Sequence, residues 1–180
     1  MAGKTFTFFL ATTLISTVTF AQGGKLAVSE PVMINKSYSL YQAGDVFLAG
    51  QPTQENLDSL INIGVALVVN LRTADEMDYL NYDEAKHLKD AGVKYIHIPI
   101  GGAEDYKPEV VEKMGKKMKS VDGKVLIHCR GAGRATYAWM AWLVNFENYS
   151  IDEAVALGSK ARFYVPFFDL LGYPITIKKK

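Results

Sequence analysis

Cysteine is nearly absent from this chain. Its 180 residues hold one, Cys129, which excludes an internal disulfide and a multi-cysteine metal site. Histidine is scarce too. His87, His97 and His128 are scattered and lack metal-ligand spacing, so the sequence implies neither a metal nor another cofactor. Net charge is almost missing, at +1, which leaves no global field for a nucleic acid or an acidic membrane surface. No internal repeat or low-complexity linker is visible. What remains is a 49% hydrophobic chain of one-domain length, enough for a packed core.

The first 21 residues read as a secretory signal. Lys4 supplies the positive start, residues 5–20 are apolar apart from hydroxyl residues, and Thr19-Phe20-Ala21 offers a cleavage site before Gln22. The stretch is short of the ~20 residues a membrane span wants, and threonine-rich, so cleavage without stable membrane insertion is expected. No cysteine follows it, which argues against a lipoprotein. The expected organisation is a signal over 1–21, an extended lead-in over 22–37 and a single domain over 38–180. The expected location is outside the cytoplasm, periplasmic or secreted, where a free thiol meets oxidants.

From residue 45 onward, strand-like runs alternate with helix-like ones. Asp45–Ala49, Val65–Leu71, Tyr95–Ile100 and Val125–Ile127 are apolar runs of strand length. Between them, Thr53 caps a helix carrying Leu57, Leu60 and Ile61, which Gly64 ends. A second helix spans Tyr82–Ala91. Pro108 opens a third, with Val110, Val111, Met114 and Met118 on one face. Residues 135–148 are apolar nearly all round and predict a buried central helix. Ser150 and Glu153 form a capping box for the next one. Residues 163–177 are aromatic, and three lysines form the tail. The alternation predicts an α/β fold, with a central, mainly parallel sheet flanked by helices. Ligands of such sheets sit at the carboxyl ends of the strands, where Cys129, the Arg72 loop and the Gly101–Asp105 loop all fall.

The chemistry concentrates in residues 125–136, Val-Leu-Ile-His-Cys-Arg-Gly-Ala-Gly-Arg-Ala-Thr. Strand, tight loop and helix N-terminus form the geometry that binds an oxyanion through backbone N–H groups. The amides of Arg130, Gly131, Ala132, Gly133, Arg134 and Ala135 are the candidate phosphate ligands. Gly131 and Gly133 are expected to supply positive φ and close approach. Arg134 suits a two-pronged contact to oxyanion oxygens. The same amides would hold Cys129 as a thiolate, a nucleophile for phosphorus. The leaving alkoxide then needs a proton. Asp105 is the first candidate acid, with a helix cap before Pro108 as its structural alternative and Glu104 as its substitute. His128 neighbours the nucleophile on a strand, so it points to the opposite face and reads as a buried hydrogen-bonding partner. His97 reads as a core histidine and His87 as a surface one. Arg72, Lys107 and Arg130 either add positive charge around the pocket or serve as surface and structural groups.

His128-Cys129-Arg130-Gly131-Ala132-Gly133-Arg134 resembles the signature of the protein tyrosine and dual-specificity phosphatases. That signature usually has five residues between Cys and Arg, followed by Ser or Thr. Here four intervene, Ala135 follows, and Thr136 stands one place late. The short spacing resembles a bacterial branch related to the phosphatase-like domain of beta-lactamase hydrolase-like proteins. Gly50-Gln51-Pro52, Asn70-Leu71-Arg72 and the order of later strands resemble that branch over roughly residues 38–160. The resemblance implies a cysteine-phosphatase-like fold and a cofactor-free cysteinyl-phosphate mechanism. Cys129 becomes its nucleophile and Arg134 its phosphate ligand, and the substrate is a phosphorylated protein or small molecule.

Two other readings stay open. Cys129-Arg130-Gly131-Ala132-Gly133-Arg134 is also close to the Cys-x4-Arg loop of rhodanese-like sulfurtransferases. Against that stand the Gly-Gln-Pro turn and the absence of a Gly-His pair before Ile98-Pro99. A noncatalytic oxyanion-binding module is the other. Substrate identity and oligomeric state are not legible in the sequence.

Overall fold

Continuous apolar runs at Val65–Asn70 and Lys124–His128 dictate strands covered on both faces. In a computed structural model, which describes residues 28–163, these two lie side by side in a six-stranded sheet. The strands are β1 (Val32–Asn35), β2 (Leu40–Ala43), β3 (Val46–Ala49), β4 (Val65–Asn70), β5 (Lys94–His97) and β6 (Lys124–His128). Their order across the sheet is β1-β2-β3-β6-β4-β5. β3, β6, β4 and β5 are parallel, while β1 and β2 join as antiparallel edge strands. β1 falls inside the stretch expected as an extended lead-in. It gives little signal because all four residues lack a buried face. The signal segment, the aromatic stretch beyond Phe163 and the lysine tail lie outside the described residues.

The helices are α1 (Gln54–Asn62), α2 (Ala74–Met77), α3 (Glu84–Asp90), α4 (Pro108–Met118), α5 (Gly133–Phe146) and α6 (Ile151–Gly158). Local chemistry sets their starts. Thr53 with Asn56, Thr73 with Glu76 and Ser150 with Glu153 each form a reciprocal capping box. Asp83 caps Lys86 N–H, so α3 begins at Glu84, two residues later than periodicity suggested. Gly64, at φ +99°, follows the end of α1 as expected. α5 begins two residues earlier than its apolar run predicts, because the loop itself feeds the first turn. Among the described residues, no helix is long and apolar enough to cross a membrane.

Alternation along the strands sorts the core into two clusters. Leu67, Val69, Val125 and Ile127 face the side covered by α4 and α5, with Trp139, Met140 and Leu143 fully buried there. Val68 and Leu126 face the other side, with Leu57 and Leu60 of α1 and Leu88 of α3. Cys129 belongs to the first cluster. The one-residue alternation therefore turns His128 toward α1 and α3, away from Cys129.

Candidate active site

The carboxyl ends of four parallel strands lie in one row. Ala49 pairs with His128, His128 with Asn70, and Asn70 with His97. The next residues open the loops, so Gly50, Cys129, Leu71 and Ile98 leave the sheet together. Backbone bonds extend this row beyond the strands. Cys129 N–H donates to Ala49 O at 3.1 Å, and Leu71 N–H to His128 O at 2.9 Å. Ile100 N–H donates to Leu71 O at 3.1 Å, which prolongs the line of β5 toward the expected Ile100.

The Gly50-Gln51-Pro52 turn forms a wall of the cysteine loop. Gly50 bridges Gly131, and Gln51 N–H donates to Arg130 O at 3.3 Å. A Cβ on Gly50 would lie 2.6 Å from Tyr38 O and 3.1 Å from Arg130 O, so only glycine lets these backbones approach. Within the loop, Cys129 is 2% exposed, and the residue with positive φ is Ala132, at +68°. The glycines expected in that role do not take it. The loop reverses at the residue just before α5, and the Ala132 methyl is fully buried in the core. That packing offsets a left-handed cost of about 1–2 kcal/mol. A Cβ on Gly131 would meet nothing within 4 Å, and one on Gly133 only Arg162 O, at 3.9 Å. α5 has no side-chain cap, so its first amides are left for a ligand.

Arg134 starts the second helical position and reaches back over the loop. Its Nη1 donates to Glu76 Oε2 at 2.8 Å, Ile100 O at 2.7 Å and Leu71 O at 3.3 Å. Its Nη2 donates to Glu76 Oε1 at 2.7 Å. Burial alone would lower the guanidinium pKa, but Glu76 and the neighbouring Cys129 hold it above its usual value. The Arg134 hydrogen bond, opposed by burial and helped by the Thr73 amide, pulls Glu76 down to about 2. Sequence reasoning missed Glu76. The available signal was Thr73-x-x-Glu76, a capping box that starts where the Asn-Leu-Arg strand end stops.

The remaining candidates divide clearly. Asp105 ends a 3-10 turn at Ala103–Asp105, and its Oδ2 accepts from Gly101 N–H at 2.7 Å and Gly102 N–H at 3.1 Å. Those two amides hold its pKa below the usual value. Next to it, Tyr106 is buried and its hydroxyl donates to Arg134 O at 3.2 Å, which ties the Gly101–Asp105 loop to α5. Thr136 is fully buried and its hydroxyl donates to Ala132 O at 3.0 Å. Arg72 is a structural group, only 6% exposed, with Nη1 on Gln51 Oε1 at 2.7 Å and Nη2 on Glu76 O. Lys107 and Arg130 are exposed. His97 is half-buried at the end of β5, with Nε2 2.6 Å from Arg72 O. His87 is half-buried at the surface, with Nε2 2.8 Å from the exposed Asp58. His128 is fully buried, with Nε2 3.2 Å from Glu84 Oε2, also fully buried. Among the described residues, no three His, Cys, Asp or Glu side chains converge as a metal ion would need.

The arrangement is a cysteine at the floor of a strand–loop–helix turn, an arginine beside it and a carboxylate-bearing loop alongside. Comparisons with known proteins agree with it. The family model of the Swiss Army Knife protein DSP-PTPase phosphatase domain, PTP-SAK, matches residues 44–158. The active form of Tk-PTP is 26% identical, over 66% of this chain and 80% of that one, with a TM-score of 0.54. A candidate phosphatase (DUF442) from Shewanella putrefaciens is 26% identical, over 74% and 89% of the two chains, with a TM-score of 0.57. TpbA of P. aeruginosa, as a cysteine-to-serine variant with phosphotyrosine, shares the fold at 16% identity, a TM-score of 0.59 and coverage of 73% and 78%. No curated protein matches the chain. The matched span holds β3 to β6, the cysteine loop and the helices that carry Glu76 and Arg134, and the chain belongs to the PTP-SAK family of dual-specificity/tyrosine-phosphatase-like domains.

Proposed function

We propose that the protein hydrolyses phosphomonoesters through a cysteinyl-phosphate intermediate on Cys129. The observation that carries this reading is the buried Cys129 beside Arg134, directly ahead of the uncapped first turn of α5. An oxyanion in the loop takes the backbone N–H groups of residues 130–135 as donors. Arg134 spends Nη1 and one Nη2 N–H on protein acceptors. Its Nε–H and remaining Nη2–H form the adjacent fork, which suits two phosphate oxygens.

The Cys129 thiolate attacks phosphorus, an S–P bond forms, and the P–O bond to the leaving group breaks. Asp105 supplies the proton to the departing oxygen. In the free enzyme its carboxylate is held ionised by Gly101 and Gly102 N–H, so it takes up its proton only when those bonds loosen. Water then attacks phosphorus as it gives a proton to the Asp105 carboxylate, the S–P bond breaks, and inorganic phosphate leaves with the thiolate restored. The Arg134–Glu76 pair keeps the guanidinium aimed at the loop through both steps, where developing charge must be stabilised. Substrates are phosphorylated proteins or small phosphate esters. The N-terminal segment makes the protein an exported enzyme that works outside the cytoplasm.

Replacing Cys129 by Ser is the direct test. Hydrolysis of para-nitrophenyl phosphate should vanish while inorganic phosphate still binds. Sulfur transfer from thiosulfate to cyanide by the wild type, with phosphoesters untouched, would reject the proposal. Binding without turnover in the wild type would leave only an oxyanion-binding module. For the acid, Asp105→Asn should slow esters with poor leaving groups by about 10²–10⁴-fold. Unchanged rates on those esters would move the role to Glu104 or water.

A further inference from the structure

Beneath the cysteine loop lies a buried carboxylate that the reaction does not use. Glu84 opens α3, and a helix N-terminus favours an acid there. An exposed carboxylate would satisfy that preference. Glu84 is instead 1% exposed. It accepts from Asn70 Nδ2 at 2.6 Å, Gln51 Nε2 at 3.0 Å and Tyr82 OH at 3.4 Å, and lies 3.2 Å from His128 Nε2. A buried, hydrogen-bonded carboxylate is often no more stable than a packed apolar group. Stability alone therefore does not account for a carboxylate at this place.

Its partners show what it holds. His128 precedes Cys129 in the chain, and Asn70 pairs with His128 across the sheet. Gln51 carries the N–H that bonds Arg130 O, the residue after Cys129. Glu84 thus reaches both flanks of the nucleophile from the face opposite its thiol, by close approach to His128 and by a hydrogen bond from Gln51. The same Gln51 accepts from Arg72 Nη1, Arg72 Nη2 donates to Glu76 O, and the Glu76 carboxylate clamps Arg134. The path from Glu84 to the phosphate-binding guanidinium is continuous.

We propose that Glu84 is the positioning residue of the cysteine loop, setting the backbone around Cys129 through His128 and Gln51 and the aim of Arg134 through Gln51, Arg72 and Glu76. This rests on the loop being the phosphatase site. Burial raises the Glu84 pKa, but His128, Gln51 and Asn70 outweigh it and bring it to about 2, which keeps the anchor ionised at working pH.

The test uses Glu84→Gln and Glu84→Asp in the full chain. Two readouts are taken per folded molecule: kcat on para-nitrophenyl phosphate, and the rate of Cys129 alkylation by iodoacetamide with its protection by inorganic phosphate. Misplacing the loop should lower kcat by about 10–100-fold. It should also change the alkylation rate and weaken phosphate protection, with the smaller change in Glu84→Asp. A merely structural role would lower the melting temperature yet leave both readouts per folded molecule at wild-type values, and that result overturns the proposal. Should neither variant fold, Gln51→Leu removes the Glu84–Gln51 and Gln51–Arg72 bonds at a half-buried site and must lower kcat and weaken phosphate protection relative to wild type. Wild-type readouts in a folded Gln51→Leu protein also overturn it. Alkylation needs no turnover, so an inactive wild type would sink the phosphatase reading while still deciding the role of Glu84.

Discussion

At the scale of single residues, the site is an exercise in keeping charges ionised and aimed. Glu76 is only about one-fifth exposed on its side chain, and Arg134 is similar. Each neutralises the other while leaving part of the guanidinium for a ligand. The Glu76 pKa is depressed from 4.5 to about 2 in the folded state. A depressed carboxylate contributes stability that is present above its unfolded pKa and lost as pH falls toward the folded value. Melting temperature should therefore drop between pH 4.5 and about 2. Glu76→Gln should melt lower at neutral pH and lose less across that window. An equally steep acid limb in the variant would assign it to other groups. Phosphate affinity of the variant should also fall, because Arg134 loses its two-point anchor.

At the scale of elements, the loop depends on a turn distant in sequence. Gly50 belongs to the β3–α1 connection, yet its missing side chain is what lets Tyr38 O and Arg130 O come close. Gly50→Ala should cost about 1–3 kcal/mol in a urea titration, by forcing these backbones apart. It should weaken phosphate binding more than a substitution of equal stability cost elsewhere. A variant that loses stability and keeps wild-type phosphate affinity would show that the wall does not shape the loop. Helix starts were legible because capping is local: Thr53, Pro108 and Ser150 stand where the chain alone says they should. The left-handed Ala132 was not legible. Which residue reverses the loop depends on how the methyl packs against strands and helices many residues away, and glycine count carries no such information.

At the scale of the molecule, the sheet separates two cores. Leu57 lies on the α1/α3 side and Met140 on the α4/α5 side, both fully buried. Leu57→Ala and Met140→Ala should each cost about 2–5 kcal/mol. Their double variant should cost the sum within about 0.5 kcal/mol, because the two share no partners. Urea unfolding curves check this, and a deviation above about 1 kcal/mol would mean that the faces are coupled through the sheet. The same separation places His128 and Cys129 in different environments one residue apart, Cys129 in the core under α4 and α5 and His128 beside Glu84 on the other face.

The sequence alone determined the alternation of strands and helices, the mainly parallel sheet, the loop with Cys129 and Arg134, and the burial of His128. These follow from periodicity, local capping and the spacing of a few residues. Only the tertiary structure decided that Glu76 clamps Arg134, that Arg72 is a structural link, that Ala132 takes the strained turn and that Glu84 lies beneath the loop. Glu76 and Arg134 are 58 residues apart, and Gln51 and Glu84 are 33 apart. Such pairs meet because parallel strands bring their carboxyl ends to one edge, a three-dimensional fact that no local pattern encodes.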